Sequence, residues 1–227
     1  MSYLVAKDIY KSYDREEVLK GINLEVDQGE FVTLLGASGC GKTTFLRIIA
    51  GLDAADSGSV FLDGNDITGL APEKRQIGMF FQNYALFEHM TVEENIAYSL
   101  KLKKLPKDEI SQRVEDMLKV VKLEGEKKRM PDMLSGGQRQ RVALARSIIS
   151  TPKVLLLDEP LGALDAALRK RMQEELKELQ HTLGITFINI THDQDEALIM
   201  SDRIALIEDG IIRKIGKPDE IKDEIRL

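Results

Sequence analysis

The sequence predicts an α/β fold in which a parallel β-sheet carries helices on both faces. Short apolar segments typical of strands alternate with segments of helical periodicity along the 227 residues. Residues 154–157 form a continuous apolar run, Val-Leu-Leu-Leu, which is typical of a parallel strand buried on both faces. The chain is long enough for one large domain or two small ones, with ample core.

The N-terminal part is predicted to be rich in strands. The Asp-Gln-Gly-Glu run at 27–30 provides a turn, and Asp-Gly at 63–64 closes a hairpin candidate. A helix is predicted over 42–50, and it ends before Gly51, a residue type common at helix C-termini. The predicted strands are residues 3–10, 18–26, 31–35, 60–62 and 77–81.

A helical block follows this part of the chain. Residues 91–94, Thr-Val-Glu-Glu, have the composition of a capping box, and apolar residues recur at helical spacing after them. Pro106 and Pro131 interrupt the block. We interpret residues 92–134 as a second subdomain.

The C-terminal part returns to alternating helices and strands. Asp209-Gly210 separates two apolar segments and predicts a hairpin. The predicted elements are helices at 136–150, 166–182 and 194–200 and strands at 154–157, 186–190, 204–207 and 211–214.

Composition excludes several classes of protein. The net charge of −6 argues against a general nucleic-acid-binding surface. No apolar run approaches the roughly 18 residues of a membrane span, and the N-terminus lacks the apolar core of a signal peptide. Cys40 is the only cysteine, so no internal disulfide forms. We therefore expect a protein of the reducing cytoplasm.

A phosphate-binding loop is predicted at 36–43, which fits the pattern G-x-x-x-x-G-K-[ST] between an apolar strand and a helix. Glycines let backbone N–H groups surround phosphate oxygens, and the helix that follows presents its positive end to the same anion. Lys42 should reach the β- and γ-phosphates of a nucleotide, and the Thr43 hydroxyl should ligate Mg²⁺. The expected nucleotide contacts are Gly36, Ala37, Ser38, Gly39, Cys40, Gly41, Lys42, Thr43 and Thr44.

Two carboxylates follow the apolar run at 154–157. The carboxyl end of a buried strand lies at the mouth of an α/β sheet, beside the phosphate loop if the strands are neighbours. Asp158 would then orient the Mg²⁺ shell, and Glu159 would polarise the attacking water as a general base. The alternative is that Asp-Glu-Pro only ends a strand in a solvated turn.

The chain resembles the ATPase subunit of an ATP-binding cassette (ABC) transporter over essentially its whole length. The resemblance implies a P-loop NTPase core, residues 1–91 and 135–227, with an antiparallel β subdomain and an inserted α-helical subdomain over 92–134. The motifs stand in the family's order: 36–43, Gln82, the signature Leu-Ser-Gly-Gly-Gln at 134–138, Asp158 with Glu159, Leu-Gly-Ala-Leu-Asp at 161–165 including Ala163, and Thr-His-Asp at 191–193.

The resemblance also implies roles for side chains that would otherwise have ordinary structural interpretations. Tyr13 would stack on adenine with Val18 packed nearby, although an N-terminal Tyr is more often a half-buried strand residue. Gln82 would sense Mg²⁺ and the attacking water, and His192 would hydrogen-bond the γ-phosphate. A polar strand end and a capping histidine are the alternatives. Asp165 would help to join two active sites across a dimer.

The signature implies a homodimer with composite ATP sites. Ser135 is a plausible N-cap, and glycines at 136 and 137 expose amides at the start of a helix. In a head-to-tail pair, each chain would offer its phosphate loop to one ATP and its signature to the other. The expected signature contacts are Ser135, Gly136, Gly137 and Gln138.

The segment 81–92 is similar to importer ATPases that handle sugars, polyamines, sulfate or iron, in which it helps to form a groove for membrane permease subunits. Phe87, Met90 and Val92 are candidate apolar contacts there, or core residues.

The resemblance places the protein on the cytoplasmic membrane face. Efflux and a soluble cassette acting on DNA or ribosomes are the alternatives, although no nucleic acid is expected. Glu88 stands where many such importers have proline, and the sequence ends at Leu227 without the regulatory domain of the sugar type. A naturally short ATPase and a cut longer protein both fit.

Overall fold

Two β-sheets and the helices that cover them make up the computed structural model, which describes residues 2–14, 16–162 and 164–225. Ala163 of the 161–165 motif therefore lies outside the described residues. The strands are β1 (Leu4–Tyr13), β2 (Glu16–Val26), β3 (Phe31–Leu35), β4 (Ser57–Leu62), β5 (Asn65–Asp66), β6 (Ile77–Phe80), β7 (Val154–Asp158), β8 (Thr186–Thr191), β9 (Arg203–Glu208) and β10 (Ile211–Gly216). The α-helices are α1 (Lys42–Ala50), α2 (Val92–Leu102), α3 (Lys107–Val120), α4 (Gly136–Ile148), α5 (Ala166–Leu183), α6 (Gln194–Met200) and α7 (Pro218–Ile225).

The larger sheet has the order β10-β9-β3-β8-β7-β6. All of its neighbouring strands are parallel except β9 and β10, which form the hairpin predicted around Asp209-Gly210. The smaller sheet, β2-β1-β4-β5, is antiparallel throughout. The predicted α/β fold with an antiparallel β part is confirmed.

Alternating side chains of β7 explain its continuous apolar run. Val154 and Leu156 pack in the cluster that contains Phe45 of α1 and the inner face of the smaller sheet. Leu155 and Leu157 point to the other face and pack with residues of α4 and α5. Because both faces of the strand are covered, every one of its positions from 154 to 157 has to be apolar.

The strand order brings three loops to one edge of the larger sheet. β8 lies between β3 and β7, with Leu35 paired to Thr191 and Asp158 paired to Ile190. The phosphate loop, Glu159 and His192 therefore follow three adjacent parallel strands at their carboxyl ends. This is the edge at which ligands bind in open α/β sheets.

A third apolar cluster joins α2, α3 and α4. Ile96 of α2 and Leu118 of α3 pack there with Val142 of α4, whereas Leu144 of α4 belongs to the cluster under the larger sheet. Helix α4 thus has one face in each cluster. The division of the chain at residue 134 stays a prediction.

The predicted and observed elements differ in several bounds and in one helix. Strands β1, β2 and β4 are longer than predicted, and α4 is shorter. The strand predicted to reach Phe81 ends at Phe80, and α7 is absent from the prediction. Helix α7 begins at Pro218 and buries Ile221 in a cluster with Ala197 of α6. A short helix with one fully buried apolar side chain gives a weak periodic signal. None of the helices in the described ranges is long and apolar enough to cross a membrane.

Candidate functional site

The phosphate loop needs glycine at two of its positions for steric reasons. A Cβ atom on Gly36 would collide with the backbone carbonyl oxygen of Ile207 in β9. Gly41 has φ of 100°, and its Cβ would lie 2.7 Å from a methyl group of Leu19. Gly41 is also the N-cap of α1 and provides no side chain to cap the first turn. The first-turn amides of α1 therefore suit an anion.

Lys42 lies inside the loop with only 5% of its surface exposed. Its Nζ donates to the carbonyl oxygens of Gly36 at 2.7 Å and Ala37 at 2.8 Å, and Sγ of Cys40 lies 3.7 Å away. The ammonium group is therefore held at the centre of the cradle, where it would balance phosphate charge.

A cavity of about 730 Å³ lies beside the loop. This volume is in the usual range for small-molecule sites. Loop residues 36–40, Val18 and His192 line it. Tyr13 does not. Its side chain is 44% exposed, its hydroxyl donates to Asp53 at 3.2 Å, and Nζ of Lys11 lies 5.1 Å from its ring centroid. Thr44 is half-buried on α1, and none of residues 41–44 lines the cavity.

Asp158 ends β7 next to the first turn of α1. Burial raises the pKa of the Asp158 carboxyl, and the charge of Glu159 acts in the same direction. The nearby Thr43 hydroxyl and the charges of Arg47 and Lys42 oppose this shift. A cation would stabilise this partly buried carboxylate. The described residues contain no group of three or more His, Cys, Asp or Glu side chains that could hold a metal. Mg²⁺ in nucleotide sites needs only one or two protein oxygens, because phosphates and waters complete its shell.

Gln82, Glu159 and His192 meet at the carboxyl edge of the sheet. Nε2 of Gln82 donates to Oε2 of Glu159 at 3.0 Å, and Nδ1 of His192 lies 3.3 Å from Oε1. Both oxygens of the carboxylate therefore have a partner from a different loop. Such a carboxylate is oriented for work as a base.

The signature forms the N-terminus of α4. Ser135 is its N-cap, as predicted, and makes a capping box in which the Ser135 hydroxyl accepts from the Gln138 N–H and the Gln138 side chain accepts from the Ser135 N–H. A Cβ on Gly136 would meet no atom within 4 Å, and one on Gly137 would make only ordinary contact with Leu168. Residues 135–138 do not line the cavity beside the phosphate loop.

Several charged groups near the signature are used within the chain. Asp165 is the N-cap of α5, where its carboxylate accepts from the N–H groups of residues 167 and 168. Arg139 donates to the Leu134 carbonyl oxygen, and Arg141 is paired with Glu175. The arginines of α4 thus have structural partners, which their sequence positions did not indicate.

The segment 82–92 is organised around a residue that the sequence analysis missed. Asn95 is completely buried, accepts from the Phe87 N–H at 2.9 Å, and donates to the carbonyl oxygens of Phe87, Met90 and Thr91. Val92 is also completely buried, so of its two interpretations the core one is correct. Phe87 and Met90 are half-buried.

Arg146 and Glu196 were missed as well. Arg146 donates to the carbonyl oxygens of Tyr84 and Ala85 and so fixes the start of the segment. Glu196 is buried beneath the loop that carries His192. The pattern Asp-x-x-Glu at 193–196 resembles a helix start and would have drawn attention to Glu196, but no local pattern predicts its burial.

Comparison with known proteins gives a consistent result. The family described as ABC transporter matches residues 19–162. The chain is 56% identical over 218 residues to the spermidine/putrescine import ATP-binding protein PotA of Clostridium novyi, a match that covers 96% of this chain and 63% of that protein. The chain spans about 60% of the length of the curated relatives it matches.

Solved structures share the fold. CbiO1 from Clostridium perfringens, described as part of the ABC transporter complex cbiONQ, superposes with a TM-score of 0.90 at 33% identity, covering 99% of this chain and 92% of that one. A dimeric post-hydrolysis state of the ATP-binding cassette MJ0796, bound to ADP and Pi, gives a TM-score of 0.83 at 33% identity. That match covers 95% and 98% of the two chains.

Proposed function

This chain belongs to the ABC transporter family, and on that premise we propose that it hydrolyses ATP with Mg²⁺ to drive solute import through membrane permease subunits. One observation carries the proposal. The phosphate loop, Asp158 and the trio Gln82, Glu159 and His192 converge at one edge of the parallel sheet. They come from four separate loops, which suits them to act on one bound nucleotide.

The nucleotide would lie with its phosphates against residues 36–43. The free amides of α1 and the ammonium of Lys42 match the charge of a triphosphate. Thr43 and Asp158 would hold Mg²⁺, with Gln82 beside them, and the ion would neutralise charge on the phosphates. Val18 lines the cavity, whereas Tyr13 would reach an adenine from beyond its wall.

Glu159 would act as the general base. Gln82 and His192 orient its two carboxylate oxygens, so that one of them accepts a proton from the water that attacks the γ-phosphorus. His192 has a side chain that is 55% exposed, so its imidazole also has access to a γ-phosphate. Lys42 would stabilise the charge that develops on the phosphate oxygens.

The signature would complete the site of a second copy. Residues 135–138 lie outside this chain's own cavity, and the packing of the chain does not require glycine at 136 or 137. Glycine is useful where another molecule approaches the backbone closely. In a head-to-tail dimer, Ser135 and Gly137 would contact the γ-phosphate on the opposite subunit, and Asp165 would lie near the junction.

The permease would dock on the segment 82–92 and the start of the proposed helical subdomain, residues 92–134. A cavity of about 380 Å³, lined in part by Met90, Tyr98 and Leu102, adjoins this segment, and Leu102 is a strongly exposed apolar side chain. Relatives that are named for import support the direction of transport. The protein would then be peripheral on the cytoplasmic face of the cell membrane.

Steady-state ATP hydrolysis by the purified chain tests the proposal. We expect Mg²⁺-dependent turnover, and we expect Glu159→Gln to lower kcat by about a hundredfold or more with nucleotide affinity preserved, because only the base is lost. Glu174→Gln, the same change at an exposed position of α5, is the matched control and should keep parental turnover. Equal kcat for the parent and Glu159→Gln would contradict the assignment of the base.

A further inference from the structure

The loop that carries His192 is held by a buried carboxylate on the neighbouring helix. We infer that Glu196 is a positioning residue: through Thr191 and Asp193 it sets the orientation in which His192 faces Glu159. The inference rests on the proposed function, in which that imidazole serves the hydrolytic site. Glu196 itself touches neither the nucleotide cavity nor the Glu159 side chain.

Glu196 lies in the first turn of α6 with 2% of its surface exposed. Oε1 accepts from Nδ2 of Asn189 at 3.0 Å, and Oε2 accepts from the Thr191 hydroxyl at 3.1 Å. Both donors belong to β8, the strand that leads directly to His192. The Glu196 carboxylate thus accepts hydrogen bonds from two side chains at the carboxyl end of β8.

The two residues that flank His192 are both tied to Glu196. The Thr191 hydroxyl accepts from the Asp193 N–H at 3.1 Å while it donates to the carboxylate. Oδ1 of Asp193 accepts from the Glu196 N–H at 3.0 Å, and Oδ2 accepts from Arg169 at 3.3 Å. These bonds form a closed ring around the backbone of residue 192. The His192 side chain is 55% exposed, so this ring decides where the imidazole points.

The ring is anchored to the strand that precedes the phosphate loop. Nδ2 of Asn189 also lies 3.4 Å from Oγ1 of Thr33 in β3. Among the described residues, Oδ1 of Asn189 has no hydrogen-bond partner. Burying these polar groups costs desolvation free energy, and apolar side chains in the same space would avoid that cost. The polar cluster is therefore better explained by its effect on the geometry of the loop that carries His192.

The charge on Glu196 suits this role at neutral pH. Burial raises its pKa to about 6, the charge of Asp193 acts in the same direction, and the donors Asn189 and Thr191 and the charge of Arg169 oppose the rise. Above that pH the ionised carboxylate accepts from both donors at once. An amide at the same position has only one oxygen to accept with.

Thr191→Val, Thr191→Ser and Glu196→Gln in the full chain test the inference. Valine keeps the shape of threonine and removes both hydrogen bonds of its hydroxyl, whereas serine keeps them. We expect Thr191→Val and Glu196→Gln to lower kcat for ATP about tenfold, with KM changed less than about twofold. Thr191→Ser should retain most of the parental kcat. Nucleotide binding is unaffected because the phosphate loop is intact.

Histidine NMR without nucleotide gives a readout that does not depend on activity. The chain has three histidines, so His89 and His181 serve as internal references. We expect the imidazole resonances of His192 to shift in Thr191→Val and Glu196→Gln and to stay near parental positions in Thr191→Ser. Ser201→Ala, which removes a buried hydrogen bond at the other end of α6, is the structural control. It should lower the melting temperature and leave kcat and the His192 resonances unchanged.

The outcomes separate this inference from the proposed function. A parent chain without ATPase activity refutes the function, and the NMR comparison still decides the positioning role. Unchanged His192 resonances in folded Glu196→Gln and Thr191→Val overturn the inference even if the parent hydrolyses ATP. A His192 shift of the same size in Ser201→Ala also overturns it, because a general loss of packing would then explain the effect.

Discussion

At the scale of single residues, Glu159 shows how the sheet edge directs a side chain. Its φ of 45° lies in the left-handed region, which costs a non-glycine residue about 1 kcal/mol or more. Its N–H donates to the Ile190 carbonyl oxygen at 3.1 Å, which holds the turn. The chain leaves β7 abruptly at this point, and the carboxylate lies between Gln82 and His192. The strain is located at the group that the proposed chemistry needs most.

Glu196 makes the stability of the protein depend on pH. Burial raises its pKa from 4.5 to about 6, so the folded chain binds this proton more tightly than the unfolded chain. The carboxyl therefore contributes stability that is fully present below its unfolded pKa and is lost as the pH rises through about 6, a total of about 2 kcal/mol. We expect Glu196→Gln to lack this loss. Relative to the parent, its free energy of unfolding in urea should improve by about 1 kcal/mol between about pH 5 and about pH 7.5.

The comparison has an internal control. Glu174→Gln, the same change at an exposed position of α5, is measured at both pH values as the reference for the substitution itself. A free-energy difference for Glu196→Gln that changes no more with pH than that of this reference would show that the Glu196 carboxyl does not titrate in this range.

At the scale of elements, the N-terminus of α4 contains glycine where the chain itself does not need it. A Cβ has room at both 136 and 137, and neither residue has a positive φ. Glycine within a helix costs up to about 1 kcal/mol relative to alanine. The cost is explained if a partner's nucleotide approaches this turn closely.

Gly137→Ala tests whether glycine at this position is needed for the folding of α4 or for the approach of a partner's nucleotide. We expect the variant to unfold at the same or a slightly higher temperature than the parent, because alanine favours the helix. Its ATP hydrolysis should fall at least about tenfold while nucleotide binding to the single chain persists, since the added methyl group would meet the partner's γ-phosphate. Gly125→Ala is the control, because a Cβ at position 125 meets no atom within 4 Å. Parental turnover in Gly137→Ala would refute a close approach at this turn.

At the scale of the whole molecule, the two glycine-rich loops do not share a cavity within one chain. Two copies related by a twofold axis would place each signature against the other chain's phosphate loop and create two equivalent sites. ATP would then stabilise the closed pair, and hydrolysis would remove the group that bridges it. ATP hydrolysis would in this way change the position of the two chains relative to each other.

Glu159→Gln with ATP should therefore accumulate as a dimer. We expect sizing chromatography with light scattering to show twice the mass of the chain when ATP is present, and a single-chain mass without it, because unhydrolysed ATP bridges both halves. Adding Ser135→Arg to this variant should abolish the dimer and preserve nucleotide binding. A monomer for Glu159→Gln with saturating ATP would count against shared sites.

The sequence alone predicted most of the fold because its signals are local. The apolar run at 154–157, the capping residues Thr91 and Ser135, and the turn at Gly51 each depend on a few neighbouring residues, and each lies where it was predicted. Helix α7 escaped prediction because it is short, and only the structure shows that its Ile221 is buried against α6. Val92 was ambiguous because a contact residue and a core residue have the same pattern, and only its burial separates the two.

The sequence by itself determined the composition of the site, since the phosphate loop, the two carboxylates and the signature are contiguous runs whose chemistry follows from residue type and spacing. Tertiary structure alone decided how they are combined. The order of β3, β8 and β7 places Glu159 beside His192 and Gln82. Burial allows Glu196 to hold the loop of His192 and Asn95 to hold the segment 82–92. The signature lies outside the cavity of its own chain. The physical reason is that strand order, burial and long-range hydrogen bonds join residues far apart in the chain, and no local pattern records them.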